Sequence, residues 1–363
     1  MISKVEIRNF RCLKDLKIDR ITPITILTGK NSAGKSSVLE ALYVAKGYHD
    51  ARWILDLNGY RQSVIYPPYT LLKIWLPFFY NLDSENLIQI SLTKNSKTEK
   101  IELSKIDNYL AKFDYNQNIP IMDTNMYAPR SYYEQKKYHA LKFVKSIHEI
   151  PKEEIYYFLV PPNAISMEIV KPKDAHKEIA PDIDYINSRA IGNPAELFSM
   201  LDLKNQTDRV IDFMKIIDPR IQELSTIMID GVVTLYADIG LPNKIPVQSL
   251  GDGFNKLIYI ILAVLGNEDE LILIDEIDNG FHYSILPKIW ETLAFIAKKV
   301  NCQIMATTHS YECLKSAVEG VKKANRFEDM SIIRLENKDG QSKAFPFSSD
   351  MIEVSLENEL EMR

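Results

Sequence analysis

The sequence predicts an α/β protein built around a largely parallel sheet, and three apolar segments predict it. ITPITILT is rich in β-branched residues and runs into a glycine turn that is followed by a helical pattern. LILI ends in two acidic residues, and CQIMATT ends before a histidine and a serine. The wholly apolar strand LILI is typical of the centre of a sheet covered on both faces. Because parallel strands end at one edge, we expect the polar residues after them to lie together.

Composition and charge bound the class of protein. The chain has 363 residues, 46% of them hydrophobic and 26% charged, which is ordinary for a folded protein of about two domains. The net charge of -5 argues against a uniformly basic nucleic-acid coat and leaves a local basic patch open. Three cysteines are too few for a disulfide framework, and no apolar run approaches the length of a membrane span. We expect a cytoplasmic protein without a membrane segment.

The glycine turn matches the phosphate-loop pattern G-x-x-x-x-G-K-S between Gly29 and Ser36. Its glycines allow successive backbone N–H groups to surround an anion at the positive end of the next helix. We expect Lys35 to reach the β- and γ-phosphates and Ser36 to hold Mg²⁺ through its hydroxyl. The alternative is a turn that only joins strand to helix. The expected nucleotide contacts are Gly29, Lys30, Asn31, Ser32, Ala33, Gly34, Lys35, Ser36 and Ser37.

The acidic pair follows the apolar strand 271–274. Asp275, at the carboxyl end of a strand beside the phosphate loop, is placed to hold the Mg²⁺ shell. Glu276 can orient and polarise the attacking water. The alternative treats both residues as solvated acids at the end of a strand. With a phosphate loop present, the sequence favours a nucleoside triphosphate site with a catalytic glutamate.

His309 and Ser310 end the third apolar strand. His309 could contact the γ-phosphate from the same sheet edge, and Ser310 is a good N-cap for the helix YECLKSAVEG. The two roles are compatible. Cys302, His309 and Cys313 also invite a zinc interpretation, but they lack the usual ligand spacing. The sequence favours His309 as a phosphate sensor.

Five segments, in order, carry a resemblance: KVEIRNFRCLKDLKI, the phosphate loop, SLGDG, LILIDE and TTHS. Together they resemble an ABC-type ATPase head, with a mixed sheet and an antiparallel lobe, of the RecF and SMC class. They are most similar to the ATPase domains of the OLD (overcoming lysogenisation defect) family and its AAA-type defence relatives. The resemblance covers roughly residues 1–100 and 223–363. It implies ATP and Mg²⁺ as cofactors and a homodimer that sandwiches ATP.

In such heads a signature turn closes over the nucleotide of a second subunit. The resemblance places it at SLGDG, where Ser249 offers a hydroxyl and Gly251 and Gly253 allow close approach of backbone N–H groups. Asp252 departs from the familiar LSGGQ, although LGDG is the form of the OLD-like relatives. The alternative is a loop that simply starts a helix. The resemblance also implies that Asp278, with His282 nearby, crosses the dimer interface.

Three regions follow from these anchors: an N-terminal part of the head over 1–100, an inserted arm over 101–222 that we expect to be mainly helical, and a C-terminal part over 223–363. QISLTKNSKTEKIELSK is predicted to form two strands joined by a polar turn. TIMIDGVVTLYADIG is predicted to form a hairpin that turns at Asp230-Gly231.

Two features of the arm leave alternatives open. YAPRSYYEQKKYHALKFVK interleaves basic residues with tyrosines, which suits nucleic acid or, more simply, an amphipathic helix. Asp182 and Asp184 would suit the metal site of a Toprim nuclease domain, but with no apolar strand before them we expect a surface loop. Outside the arm, Gln62 and Gln89 are both candidates for the glutamine lid of such heads, and the sequence does not decide between them.

Two functions remain. The first is an ATPase switch whose nucleotide-driven dimer controls a separately encoded effector from an adjacent gene, a nuclease or toxin of anti-phage defence. The second is a RecF-like DNA-binding ATPase of repair, which clamps duplex DNA between two heads. In either case Arg8 and Arg11 approach the nucleotide or lie on a strand surface. The acidic net charge and the lack of a recognisable Toprim domain favour the first. NKD at 337–339 lacks the spacer of a guanine-binding motif, which disfavours a small GTPase.

Overall fold

A computed structural model describes residues 1–47, 52–60, 75–114, 119–121, 135–147, 150–160, 168–170, 183–187, 192–338, 341–357 and 362. Its central feature is a six-stranded mixed sheet. The strand order is β10-β14-β15-β3-β16-β17, and every neighbouring pair is parallel except β16 and β17. The strands are β3 (Ile24–Thr28), β10 (Ile183–Ile186), β14 (Leu271–Ile274), β15 (Gln303–Thr307), β16 (Met330–Lys338) and β17 (Gln341–Phe347). The three apolar segments are therefore the neighbours β14, β15 and β3, as predicted.

An eight-stranded antiparallel sheet forms the second layer, with the order β2-β1-β4-β5-β7-β8-β9 and β6 paired to β5. Its strands are β1 (Ile2–Phe10), β2 (Leu13–Ile18), β4 (Ile88–Lys94), β5 (Lys97–Asp114), β6 (Ile119–Ile121), β7 (Gln135–Ile147), β8 (Ile150–Val160) and β9 (Glu168–Val170). The β4-β5 hairpin is the predicted polar-turn hairpin. The predicted α/β fold, a mixed sheet with an antiparallel lobe, is confirmed.

Eight α-helices and a small third sheet complete the described part of the chain. The helices are α1 (Lys35–Gly47), α2 (Arg52–Tyr60), α3 (Pro194–Leu203), α4 (Thr207–Ile217), α5 (Asp252–Gly266), α6 (Leu286–Lys299), α7 (Tyr311–Lys323) and α8 (Ser349–Glu357). The third sheet contains β11 (Glu223–Ile229), β12 (Val232–Asp238) and β13 (Ile245–Pro246). Asp230 and Gly231 both have positive φ, 52° and 79°, which confirms the predicted tight turn. Within these residues, none of the helices is both long and apolar enough to cross a membrane.

The neighbouring strands β14, β15 and β3 are buried on both faces, which explains why they are largely apolar. Side chains alternate along β14: Ile272 and Ile274 lie in the core shared with α3 to α7, whereas Leu271 and Leu273 lie in the core shared with α1 and the antiparallel sheet. Neither face is left for water, so a polar residue at an interior position would cost free energy. Along β14 the first polar side chains therefore come only after the strand, at Asp275 and Glu276.

The prediction that residues 101–222 are mainly helical is wrong for much of the described part. Only α3 and α4 are helical there, and the segments that precede them form β5 to β10. The predicted amphipathic helix in YAPRSYYEQKKYHALKFVK is also wrong, because its second half is the strand β7. Strand pairing outweighs the helix propensity of the lysines in this segment, because alternate residues such as Leu141 and Phe143 are buried in the sheet.

Asp184 does not lie in a surface loop. It belongs to β10, where it pairs with Ile272 at one edge of the central sheet, and burial raises the pKa of its carboxyl. Sequence reasoning missed the strand because it is only four residues long. Asp182 lies outside the described residues. Of Asp182 and Asp184, the structure therefore places Asp184 in an edge strand of the central sheet.

Candidate nucleotide-binding site

The phosphate loop joins β3 to α1 and depends on two glycines. Gly29 and Gly34 have φ of 135° and 101°, in the region that favours glycine. A Cβ atom at Gly29 would lie 2.3 Å from the carbonyl oxygen of Leu335, and one at Gly34 would lie 2.6 Å from Cδ2 of Leu13. The loop is thus packed against β16 and the β1-β2 turn. Ala33 and Ser37 are buried beneath it, while Lys30, Asn31 and Ser32 are exposed.

Lys35 folds back over this loop. Its Nζ donates hydrogen bonds to the carbonyl oxygens of Gly29 at 2.8 Å and Lys30 at 3.2 Å. Burial lowers the pKa of the Lys35 ammonium, and the carboxylates of Asp275 and Glu276 partly oppose that shift. The side chain therefore holds a cation against the loop backbone, at the position where a bound phosphate needs one.

Asp275 is the polar centre of the site. Its Oδ1 accepts hydrogen bonds from the hydroxyl of Ser36 at 2.9 Å and from that of Thr307 at 2.7 Å. Burial raises the pKa of Asp275, and the two hydroxyl donors oppose that shift. A carboxylate beside a serine hydroxyl is an all-oxygen donor set, the kind that Mg²⁺ prefers. Ser36 and Asp275 therefore fit the predicted metal.

Glu276 has an unusual backbone for a non-glycine residue, with φ of 46°. Such a conformation costs free energy and is concentrated at functional sites. Its N–H donates to the Thr307 hydroxyl at 2.8 Å, so Thr307 holds the backbone of Glu276 and the carboxylate of Asp275 with one oxygen. Sequence reasoning missed Thr307. The signal was a threonine at the end of an otherwise apolar strand.

His309 is exposed two residues beyond β15. Ser310 is the N-cap of α7, because its Oγ accepts from the N–H of Cys313 at 3.1 Å, as predicted. Burial raises the pKa of the Cys302 and Cys313 thiols to about 12. Within the described ranges, no three His, Cys, Asp or Glu residues gather as a metal cluster, so the zinc interpretation has no support there.

The predicted signature turn is exposed. Residues 247–250 form a single 3-10 turn, Gly251 has φ of 107°, and α5 begins at Asp252. Ser249 and Gly251 are solvent-accessible. Gly253 lies so close to the turn after Glu276 that an added Cβ would be 2.4 Å from the carbonyl oxygen of Gly280. The first turn of α5 therefore packs backbone to backbone against the turn from Asp275 to Gly280, which we call the acidic turn.

Lys256 joins the same two elements from inside the protein. It is 3% exposed, and its Nζ donates to the carbonyl oxygens of Glu276 at 2.7 Å and Asn279 at 3.1 Å. Burial lowers its pKa to about 8. In the same turn Asp278 is half-buried, whereas His282 is exposed and its Nδ1 lies 2.8 Å from the Ser284 hydroxyl. Sequence reasoning missed Lys256, although a single lysine inside an apolar helix was the available signal.

Comparison with known proteins identifies the family of this chain. The sequence profile of the AAA ATPase domain matches residues 1–314. The chain belongs to the AAA ATPase domain family. It is therefore an ATPase and binds a nucleotide.

Relatives of this AAA ATPase domain protein match it over different lengths. It is similar to an ATP/GTP phosphatase of Helicobacter pylori, with 27% identity over 375 residues that cover 99% of each chain. It also resembles the DNA replication and repair protein RecF of Acholeplasma laidlawii, with 31% identity over 115 residues, 31% of this chain and 30% of that one. Among solved structures it is similar to an SMC head bound to the C-winged helix domain of ScpA, at 13% identity and a TM-score of 0.49, covering 96% of this chain and 97% of that one.

The sequence leaves open the roles of two arginines and two glutamines of this AAA ATPase domain protein. Arg11 turns inward: its Nε donates to the Glu40 carboxylate at 2.9 Å and its Nη1 to the carbonyl oxygen of Pro77 at 2.9 Å. Arg8 stays on the surface, 3.6 Å from Asp15. Gln89 is a strand residue that donates to Glu102 at 2.7 Å. Gln62 lies outside the described residues.

Proposed function

We propose that this protein is a Mg²⁺-dependent ABC-type ATPase that closes head to head around ATP, and that this closure switches a separately encoded effector. One observation carries the proposal. The Ser36 hydroxyl, the Thr307 hydroxyl and Asp275 meet at the edge of the sheet directly beside the phosphate loop. A connecting turn would have no need of such a convergence.

The phosphate loop binds the triphosphate through backbone N–H groups over Gly29 to Ser37. Lys35 donates to two loop carbonyls. Phosphate oxygens are stronger acceptors for an ammonium than neutral carbonyls are. Lys35 therefore exchanges the carbonyls for phosphate oxygens, and this exchange contributes to affinity.

Ser36 and Asp275 would hold Mg²⁺, which when bound neutralises charge on the phosphates. Because burial raises the pKa of Asp275, a nearby cation favours its ionised form, which is the form that acts as a ligand. Glu276 orients the attacking water and accepts its proton. His309, exposed at the same edge, contacts the γ-phosphate.

The exposed signature turn serves the second copy. Ser249, Gly251 and Gly253 lie at the start of α5, whose N-terminus favours an anion. Asp278 lies in the adjoining turn and contributes to the same interface. A two-fold dimer then holds two nucleotides, each between the phosphate loop of one chain and the signature turn of the other.

A partner protein is supported by exposed apolar side chains on the β11-β12 hairpin, directly after the 101–222 arm. Met228, Ile229 and Val232 are 69%, 54% and 64% exposed at its tip. Clustered apolar side chains of this kind are typical of protein-binding surfaces. In this proposal the effector is the product of an adjacent gene, a nuclease or toxin of anti-phage defence, and docks on the arm and this hairpin.

Three measurements on the purified protein and its native host test this function. We expect ATP hydrolysis that requires Mg²⁺ and stops with EDTA, a dimer by light scattering with ATP, and co-purification of the neighbouring gene product. A variant with Met228, Ile229 and Val232 changed to serine should keep ATPase activity and lose the partner. Hydrolysis unaffected by EDTA would contradict the metal assignment. A monomer at saturating ATP would contradict the switch.

A RecF-like DNA-binding ATPase is the second candidate, and one surface favours it. A groove of about 790 Å³ between β2 and β17 is lined by four cations, Arg8, Lys14, Lys17 and Lys343, and by two acids. Phosphate backbones bind such cations with a strong salt dependence. Duplex binding that weakens steeply between low and moderate salt, and is lost in Lys14→Glu with Lys343→Glu, would favour this function over the effector switch.

A further inference from the structure

Lys256 is a buried cation in the middle of an apolar helix, and backbone carbonyls surround its ammonium. Besides the bonds to Glu276 and Asn279, its Nζ lies 3.5 Å from the carbonyl oxygen of Ile277. The Phe281 ring centre is 5.6 Å away. Within the described part of the chain, no carboxylate oxygen lies within 4.0 Å of this ammonium. Its partners are the backbone of the acidic turn.

The shape of that turn depends on these contacts. An ammonium has three N–H donors, and here they face carbonyls of residues 276, 277 and 279. The Glu276 backbone has a positive φ, which a non-glycine residue keeps only when its surroundings impose it. Lys256 bonds to the carbonyl of that same residue. It therefore helps to fix the direction of the Glu276 side chain.

Gly253 provides a second, independent link between the same two elements. It precedes Lys256 by three positions on α5, and its Cα faces Gly280 so closely that no side chain would fit between them. Lys256 holds the beginning of the acidic turn, and Gly253 lies against its end. Two independent contacts therefore join the first turn of α5 to the turn from Asp275 to Gly280.

We propose that Lys256 is a positioning residue that couples the signature turn of a chain to Glu276 of the same chain. The proposal rests on the proposed function, in which the signature turn contacts the partner's ATP and Glu276 serves the chain's own ATP. Contact with the partner's nucleotide shifts the first turn of α5, and Lys256 passes that shift to the backbone of Glu276. Each site is thus made competent by ATP in the other, and hydrolysis is positively cooperative.

Four variants test the coupling. Lys256→Met removes the ammonium with little change of length, and Lys256→Arg keeps a cation. Gly253→Ala pushes the two turns apart while Lys256 remains. Lys244→Met is the control, because it removes a lysine whose contacts lie on the third sheet, an ion pair of 2.9 Å to Glu223 and a hydrogen bond of 3.2 Å to the Ser225 hydroxyl. Each variant is assayed for affinity for a fluorescent ATP analogue, kcat, the Hill coefficient of hydrolysis and the melting temperature.

For the wild type and Lys244→Met we expect a Hill coefficient approaching about 2, the number of sites in the dimer. Lys256→Met should bind nucleotide within about 2-fold of wild type, since Lys256 does not contact the phosphate loop. Its kcat should fall on the order of 10²-fold, the loss typical of a misplaced catalytic group, and its Hill coefficient should fall to about 1. Gly253→Ala should lose cooperativity in the same way, and Lys256→Arg should recover part of both quantities.

A folded Lys256→Met variant with wild-type kcat and cooperativity would overturn the coupling. If that variant does not fold, Lys256→Arg and Gly253→Ala decide the question, and unchanged kinetics in both would overturn it equally. Cooperativity absent from the wild type also overturns it while leaving the ATPase intact. A wild type that hydrolyses no ATP refutes the proposed function itself, so the two failures are distinguishable.

Discussion

The hydroxyl of Ser36 donates a 2.9 Å hydrogen bond to the carboxylate of Asp275, 239 positions away in the chain. The two residues meet because β3 and β14 end at the same edge of one sheet, on either side of β15. Thr307, at the end of β15, bonds to the same oxygen. The ends of β14 and β15 and the helix that follows the phosphate loop after β3 thus each contribute one polar group, and this is the geometry on which the catalytic proposal depends.

Removing the ammonium of Lys35 should largely abolish nucleotide binding. Lys35→Ala leaves the phosphates without a charged donor, which is worth about 2 to 3 kcal/mol, or on the order of 100-fold in affinity. Isothermal titration with ATP measures the change. Lys298→Ala is the control, because Lys298 is exposed in the last turn of α6 and is not part of the loop. Equal affinity in Lys35→Ala and wild type would refute the phosphate-loop assignment.

Changing Glu276 to glutamine should separate binding from hydrolysis. The amide retains the size of the side chain but cannot accept a proton, so we expect kcat to fall on the order of 10² to 10³-fold with ATP affinity retained. Steady-state phosphate release checks this. Glu268→Gln removes an exposed carboxylate and should behave as wild type. A Glu276→Gln enzyme with normal turnover would exclude Glu276 as the base.

The slow Glu276→Gln variant should also trap the dimer. With saturating ATP and Mg²⁺ we expect a two-fold dimer that buries at least about 1,200 Å². Mixing Lys35→Ala with Ser249→Arg, each inactive alone, should give mixed dimers that bind one ATP in their single intact composite site. Their hydrolysis should recover only in small part, because the second site holds no ATP to activate the first. Mixed dimers that neither bind a nucleotide nor recover any activity would mean that the signature turn does not act on the partner's nucleotide.

The three thiols should react in a fixed order. Cys12 is partly exposed, and its Sγ lies 3.4 Å from the Ser37 hydroxyl beneath the phosphate loop, whereas Cys302 and Cys313 are buried. The pKa of both buried thiols is raised to about 12, so little thiolate is present at pH 8. We expect iodoacetamide to label Cys12 first, as seen by peptide mass spectrometry. Early labelling of Cys302 or Cys313 in the native protein would contradict the burial of these two thiols.

Stability should depend on pH through Lys256. Burial lowers the pKa of Lys256 from 10.5 to about 8, so between these values the unfolded state binds more protons than the folded state. The cost of burying the charge is present in full below pH 8 and is relieved as the pH rises. The free energy of unfolding of the nucleotide-free wild type, relative to Lys256→Met, should rise by about 1.5 kcal/mol between pH 8 and 9.5. Urea denaturation at both pH values measures it, and a difference that stays constant or falls would contradict the buried ammonium.

The functional loops were predictable because each is encoded in a short, continuous segment. The phosphate loop needs glycines at fixed spacing. Asp275, Glu276 and Ser310 come after strands that are predicted by their apolar runs. The Asp230-Gly231 turn is equally local, and its positive φ angles follow from its residue types. At these positions the residues themselves restrict the backbone, so the sequence alone was sufficient.

Tertiary structure decided what depends on partners far along the chain. The segments of β5, β7 and β8 become strands through pairing with one another, and the burial of Phe143 outweighs the helix propensity of nearby lysines. Lys256 meets the Glu276 carbonyl across 20 positions, and Arg11 meets Glu40 across 29. Neither contact follows from the residue type, because a lysine or arginine side chain is also stable when it is exposed to water. Only the packing of α5 and of the β1-β2 turn excludes the solvent-exposed position for these two side chains.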